Sequence, residues 1–175
     1  MLSVREITTD DIPTLVSYWL DSDPDFMIGM GVDLTKLPER EALTKMLSAH
    51  IGKPLTEAQS YALIWLLDGK AVGHCNVNKI AFGQHAFMHL HLWQSTYRQK
   101  GMGSALVKLS LPYFFKNLEL ETLYCEPYAL NDAPNRTLQK LGFTLEKEYI
   151  TTPGYLNFEQ PVKRWSLTKK SWLAK

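Results

Sequence analysis

Seven stretches of the chain carry an alternating or near-continuous apolar pattern, and four carry apolar residues at helical spacing. The first kind predicts strands at 3–8, 61–67, 71–80, 86–93, 121–125, 143–149 and 162–168. The first helix starts behind a Thr9 or Asp10 cap, has Pro13 in its first turn, and sets Ile12, Leu15, Val16 and Trp19 on one face. A second helix, 37–51, opens on Pro38-Glu39-Arg40-Glu41 and lines up Leu43, Met46, Leu47 and His50. A third runs from Gly103 to about Asn117, where Pro112 predicts a kink or an early stop. A fourth covers 131–141, with Gly142 at its C-cap. Asp68-Gly69-Lys70 and Gly83-Gln84 read as turns, and Gly73 marks a strand position where the backbone comes close to a neighbour or bulges. Residues 21–38 and 151–161 read as loops, and Lys163, Arg164 and Lys169 as solvated charges. The element order predicts a mixed α/β layout with an antiparallel meander in its middle.

The pattern changes most sharply between residues 86 and 107. Phe87 to Trp93 alternates as a strand does, Gly101 and Gly103 interrupt, and Met102, Ala105, Leu106, Leu109 and Tyr113 then follow at helical spacing. A strand that turns through glycines into a helix N-terminus presents unpaired N–H groups and the positive end of the helix dipole. Arg98 and Lys100 add positive charge there. The chemistry is that of a phosphate or pyrophosphate cradle. A dinucleotide-binding turn would need a third glycine where Leu106 stands, and the Gly-Lys-Ser/Thr of a Walker loop is absent.

What is present, Arg98-x-x-Gly101-x-Gly103 directly after a strand, resembles the acetyl-CoA pyrophosphate loop of the GCN5-related N-acetyltransferase (GNAT) family. Asn131-Asp-Ala-Pro-Asn-Arg-Thr-Leu-Gln-Lys-Leu-Gly142-Phe143 is similar to the later helix of that family, which opens on Asn and closes on Leu-Gly-Phe. The two motifs stand in the family's order and separation, and the resemblance covers most of the chain. Within the family the comparison runs toward the ribosomal-protein N-acetyltransferase-like branch. The resemblance implies an α/β (α+β) fold in one acetyltransferase domain over residues 1–175. Its mostly antiparallel sheet would have about seven strands, splayed between the fourth and fifth, with about four flanking helices. It further implies that Arg98, Gln99, Lys100, Gly101, Met102, Gly103 and Ser104 hold the pyrophosphate of acetyl-CoA. Backbone groups near Leu92 and Trp93, together with Asn131, would hold the pantetheine arm.

Acetyl transfer from a thioester to an amine needs a neutral amine, a base for its proton, a donor for the oxyanion and an acid for the departing thiolate. His89 and His91 share one strand face and titrate near neutrality in water, so they are the candidate bases. A backbone N–H near Leu92 or Trp93 is the candidate oxyanion donor. The family's usual acids are missing: Leu138 stands where many members have tyrosine, and Pro134 where the ribosomal-protein branch often has serine. Tyr128 and Glu126 remain as candidate acids. The missing acid also keeps open a non-catalytic acetyl-CoA-binding domain. His85, His89 and His91 have the same strand parity and are a candidate zinc face, but no carboxylate stands at ligand spacing, so no metal is expected.

Composition narrows the partners. A net charge of +1 gives no electrostatic case for nucleic acid, and no apolar run approaches membrane-spanning length. Cys75 and Cys125, in separate strands without a CxxC motif, read as buried thiols in a reducing compartment, which points to the cytoplasm. The acceptor is expected to be a small-molecule or peptide amine, and the protein a monomer or homodimer. Trp19, Phe26, Met27, Tyr155 and Phe158 read as core first and as an acceptor-pocket wall second.

Overall fold

The expected meander forms the centre of a seven-stranded sheet. A computed structural model describes residues 1–98 and 101–174. Its strands are β1 (Leu2–Glu6), β2 (Ser60–Leu67), β3 (Lys70–Ala81), β4 (His85–Leu92), β5 (Thr122–Cys125), β6 (Thr144–Thr151) and β7 (Gln160–Thr168). They lie in the order β1-β2-β3-β4-β5-β7-β6. The β4–β5 pair is parallel, and the other neighbours are antiparallel.

The helices are α1 (Ile12–Asp21), α2 (Pro24–Gly29), α3 (Arg40–Ser48), α4 (Met102–Pro112), α5 (Asp132–Lys140) and α6 (Lys169–Leu173). Six α-helices stand among the described residues, against about four expected. The residues 21–38 read as loop contain α2: Asp23 caps it by accepting the Phe26 N–H at 2.9 Å, and Pro24 fills its first position. At the other end, Thr168 caps α6 through the Ser171 N–H, and Trp172 stacks on Phe115 with ring centroids 4.8 Å apart. Both helices are short, with too few residues to show a helical period. The tension at Pro112 resolves as a change of helix type, α4 ending there and one π-helical turn continuing over Tyr113–Asn117. At Gly73 the β2–β3 register shifts, and a Cβ would stand 2.3 Å from the His91 carbonyl oxygen. Arg164 is not a solvated charge, since its guanidinium pairs with Glu126 at 2.6 Å.

The sheet separates two kinds of surface. Ala86, Met88, Leu90 and Leu92 of β4 join the main core with Leu106 and Val107 of α4 and with Trp65, Phe114 and Leu123. Burying each large apolar side chain contributes roughly 1.5–3 kcal/mol. Trp65 Nε1 donates to Ser110 Oγ at 2.9 Å, which fixes α4 against β2. The opposite parity of β4, with His85, Phe87, His89 and His91, lies on the other face. There α1 and α3 meet around Ile12, Val16 and Leu43.

The β4–β5 pairing runs only from His85↔Thr122 to Met88↔Cys125. Beyond it the strands part, and the cause is local. Cys125 Sγ donates to the Met88 carbonyl at 3.0 Å, at the last paired position. Pro127 has no N–H to offer β4. The chain after β5 is drawn to β7 instead, where Lys163 N–H donates to the Pro127 carbonyl at 3.2 Å and Ala129 N–H to the Pro161 carbonyl at 2.8 Å. The second half of β4 is left with an open edge.

Candidate active site

The open edge carries directed backbone groups. Trp93 N–H donates to the Val72 carbonyl at 3.1 Å, so in the β3–β4 ladder Trp93 and His91 face β3. The alternate residues, Leu90 and Leu92, direct their N–H and C=O groups into the gap. The Trp93 N–H is therefore spent, and Leu90 and Leu92 supply the free donors of this edge. Arg98 Nη2 donates to the Leu92 carbonyl at 3.2 Å, and its guanidinium lies 3.8 Å from the centre of the Phe26 ring.

The glycine turn sits at the end of this edge. Gly101 takes a left-handed conformation (φ 73°) to begin α4, a geometry that costs any other residue strain. Met102, Gly103 and Ser104 form the first turn of α4, where backbone N–H groups have no intrahelical acceptor. A Cβ at Gly103 would lie 3.6 Å from Leu92 Cδ1, which places this turn against the end of β4. Gln99 and Lys100 lie outside the described residues. Asn131 precedes α5 without capping it through its side chain, and its carbonyl accepts Asn135 Nδ2 at 2.8 Å. Among the described residues its side-chain amide has no hydrogen-bond partner, and Asn131 lines the adjacent cavity.

The histidines have separate partners. His89 Nε2 lies 3.1 Å from Asn78 Oδ1. With Asn78 accepting, the proton sits on Nε2, and Nδ1 keeps a lone pair. His91 Nδ1 lies 3.0 Å from the Tyr18 hydroxyl, and burial raises the pKa of Tyr18 so that the hydroxyl stays protonated. His91 stacks on His74 at 4.4 Å, and Trp93 Nε1 donates to His74 Nδ1 at 2.8 Å. All three rings are held neutral. Burial pulls His74 down to about 3, with a smaller contribution from His89. It pulls His89 down to about 4, helped by Lys79 and opposed by Glu126. His91 falls well below its ordinary value through burial and the adjacent His74 and His89. His85 packs against Phe87 and Tyr124 instead. Among the described residues no three His, Cys, Asp or Glu side chains form a group that could hold a metal ion.

A cavity of about 680 Å³ opens on this face and reaches the gap. His74, His89 and His91 line it, as do Glu126, Tyr128 and Asn131. Tyr128 stands just past β5, with its ring 5.7 Å from that of Phe158. Among the described residues its hydroxyl has no hydrogen-bond partner. Glu126, the other candidate acid, is a carboxylate paired with Arg164 and bonded by the Tyr149 hydroxyl. Leu138 is fully buried in the core, so the family's tyrosine position is filled by packing. The residues read as wall or core divide: Trp19 and Tyr155 line the cavity, Met27 is core, Phe26 lies under Arg98, and Phe158 packs on Tyr128.

Sequence reasoning missed His74, Tyr18 and Asn78. His74 and Asn78 gain their meaning in the pairing of β3 with β4, where His74 faces His91 and Asn78, opposite Phe87, meets His89 diagonally, while Tyr18 comes from α1. That register cannot be counted from the turn, because it shifts between Asn78 and Ala81.

The family model described as acetyltransferase (GNAT) domain matches residues 2–144. No curated protein matches the sequence. Among solved structures, the chain is similar to spermidine N-acetyltransferase from Vibrio cholerae, solved with CoA and spermine. The TM-score is 0.80 at 16% identity, over 98% of each chain. It is also similar to RimL, a ribosomal L7/L12 α-N-protein acetyltransferase solved with coenzyme A (TM-score 0.77, 16% identity, 97% of this chain and 95% of that one). The aminoglycoside acetyltransferase AAC(6')-Ib, solved with coenzyme A, gives a TM-score of 0.76 at 16% identity, over 100% of this chain and 99% of its own. No helix among the described residues is long and apolar enough to cross a membrane.

Proposed function

Because the chain belongs to the GNAT acetyltransferase family, we propose that it moves acetyl from acetyl-CoA to the nitrogen of a primary amine within one ternary complex. One observation carries this reading: the open edge of β4 borders the histidine-lined cavity at Leu90 and ends against the free first turn of α4. The N–H groups of Met102, Gly103 and Ser104, with Arg98 beside them, fit a pyrophosphate. The Leu90 backbone and the Asn131 amide fit the amide groups of a pantetheine arm, which would lie along β4 as an added strand. The CoA bound by the similar proteins of known structure supports the same assignment.

The acetyl thioester supplies an activated carbonyl carbon. A bond forms from the amine nitrogen to that carbon, the carbon–sulfur bond breaks, the nitrogen loses a proton and the thiolate gains one. His89 is the residue placed to take the proton. Asn78 fixes its tautomer, and Nδ1 is the free lone pair. His91, with Nδ1 facing the Tyr18 hydroxyl, acts by position and keeps the cavity wall uncharged. The Leu92 N–H is the donor for the oxyanion. Tyr128, with its unpartnered hydroxyl at the cavity wall, is the proton source for the thiolate. We place the protein in the cytoplasm, a reading supported by its two buried, unpaired cysteines.

The test is CoA release together with detection of the N-acetylated amine. His89→Ala should lower kcat about a hundredfold or more, the scale of a lost general base. Tyr128→Phe should lower it less, because water can also protonate a thiolate. Acetyl-CoA binding with no turnover on any amine, and no effect of His89→Ala, would leave a binding domain without catalysis.

A further inference from the structure

We infer that the acceptor is a small amine carrying an uncharged oxygen close to its amino group, and that the Nε2–H groups of the stacked His74 and His91 rings hold that oxygen. This rests on the acetyl-transfer reading above and deepens it by naming the class of acceptor.

The tautomers are the first argument. An indole nitrogen only donates, so the 2.8 Å bond from Trp93 Nε1 makes His74 Nδ1 the acceptor. Burial keeps the His74 ring neutral, and its one hydrogen therefore stands on Nε2. His91 follows the same rule. The Tyr18 hydroxyl, 3.0 Å from its Nδ1, has the Met30 sulfur as its other acceptor, at 3.5 Å. A thioether accepts weakly, so the hydroxyl gives its proton to Nδ1 and leaves the His91 hydrogen on Nε2. The two rings stack with centroids 4.4 Å apart. They supply two N–H donors from facing positions of β3 and β4.

The second argument is where those donors open. Among the described residues no acceptor meets either Nε2. The side-chain nitrogens and oxygens sealed in the protein without a partner are His50 Nδ1 and Gln160 Oε1, so neither Nε2 is sealed. His74 is only 4% exposed, and it and His91 both line the cavity. Buried donors are nearly always paired, so this pair calls for an oxygen on the ligand. The rings of Tyr18, Trp19 and Trp93 pack against the stack, a setting that suits an uncharged oxygen and penalises a buried carboxylate. His89, the proposed base, stands two residues from His91 on the same face, roughly 7 Å along the strand. An oxygen held at His91 and an amine at His89 therefore belong within a few bonds of each other. The wall away from the gap, with Trp19, Met46 and Leu47, takes an apolar body. A volume of about 680 Å³ suits a small molecule.

The experiment has two readouts. Nitrogen NMR of histidine-labelled wild type should show His74 and His91 as Nε2–H tautomers, the signals being assigned with His74→Asn and His91→Asn. The second readout is kcat/KM by CoA release, scaled to the neutral fraction of each amine. The amines are 2-amino-1-phenylethanol (hydroxyl), phenylalaninamide (carbonyl), 2-phenylethylamine (neither), phenylalanine (carboxylate) and spermidine. Calorimetry with acetyl-CoA runs on the same preparations. The hydroxyl or the carbonyl compound should exceed 2-phenylethylamine at least tenfold. His74→Asn, whose amide oxygen still accepts from Trp93 Nε1, should cut that ratio at least fivefold with acetyl-CoA affinity held. An Nδ1–H tautomer on either ring, a ratio near one, or a ratio that His74→Asn leaves unchanged overturns this inference. So does preference for phenylalanine or spermidine, or turnover of none of these amines by protein that binds acetyl-CoA. An equal loss on every amine in His74→Asn also overturns it, placing the donors on the acetyl carbonyl instead. Each of these outcomes leaves cofactor binding standing. Failure to bind acetyl-CoA removes the acetyl-transfer reading itself, and this inference with it.

Discussion

The two sides of the β4–β5 gap are built from different material. The proposed cofactor side is backbone: the inward N–H groups of Leu90 and Leu92 and the first turn of α4, all within one strand–turn–helix. The proposed acceptor side is side chains brought from across the chain: Trp19 from α1, Leu43 and Met46 from α3, His74 from β3 and Glu126 after β5. Backbone recognition tolerates most substitutions and depends on glycines and helix geometry. Side-chain recognition changes with each residue. One fold can therefore keep a single cofactor while its acceptor changes, as the polyamine, protein and aminoglycoside acetyltransferases that share it illustrate.

The sharpest way to break this division is Gly103→Asp. Its Cβ has room, meeting Leu92 Cδ1 at 3.6 Å, and a carboxylate in the first turn of α4 favours the helix by about 0.3–1 kcal/mol. The same charge faces the proposed pyrophosphate. Acetyl-CoA affinity should fall about a hundredfold, on the scale of two opposed charge effects, while thermal stability holds or rises. Titration calorimetry and a melting curve check both signs. A loss of binding that comes with a loss of stability would put the effect in the fold.

Next in size is Asn78→Ala on the acceptor side. It frees the His89 tautomer without touching the cofactor loop, so kcat should fall about tenfold with the KM for acetyl-CoA unchanged. Steady-state kinetics separate the two.

Cofactor and acceptor sides also differ in titration. His74, His89 and His91 have depressed pKa values in the fold, about 3 for His74 and about 4 for His89. The unfolded chain binds more protons than the folded one below the ordinary histidine value of about 6.5. Their contribution to stability is therefore complete above that pH and is lost as pH falls toward 4. The melting temperature should drop steadily across this window. His74→Asn, which keeps an acceptor for Trp93 Nε1, should flatten the drop. Activity should show no acid limb near pH 6.5, because His89 remains neutral there.

The smallest effect is expected at Gly101. An alanine there meets open space but must adopt φ 73°, which costs about 1 kcal/mol and lowers the melting temperature by about 2–4 °C. Acetyl-CoA affinity should barely change, because the N–H groups of α4 stay in place.

The same contrast explains what the sequence made legible. The cofactor side is local, so Arg98, Gly101, Gly103 and Asn131 stand in motifs whose spacing survives in one dimension. The strands were visible because period two is short-range. The acceptor side depends on register and on distant loops. The shift between Asn78 and Ala81 hides the facing of His74 and His91. Helices α2 and α6 were missed because five or six residues cannot display a period of 3.6, and their capping residues sit among loop-like neighbours. Arg164 read as a solvated charge because its partner, Glu126, lies on another strand's end.

The account rests on a cofactor site made by β4 and α4. Titration of acetyl-CoA into the purified protein, followed by calorimetry, tests it most directly. Saturable one-to-one binding in the wild type, lost in stably folded Gly103→Asp, is the predicted result. No saturable binding by the wild type, or equal binding by both proteins, would contradict it.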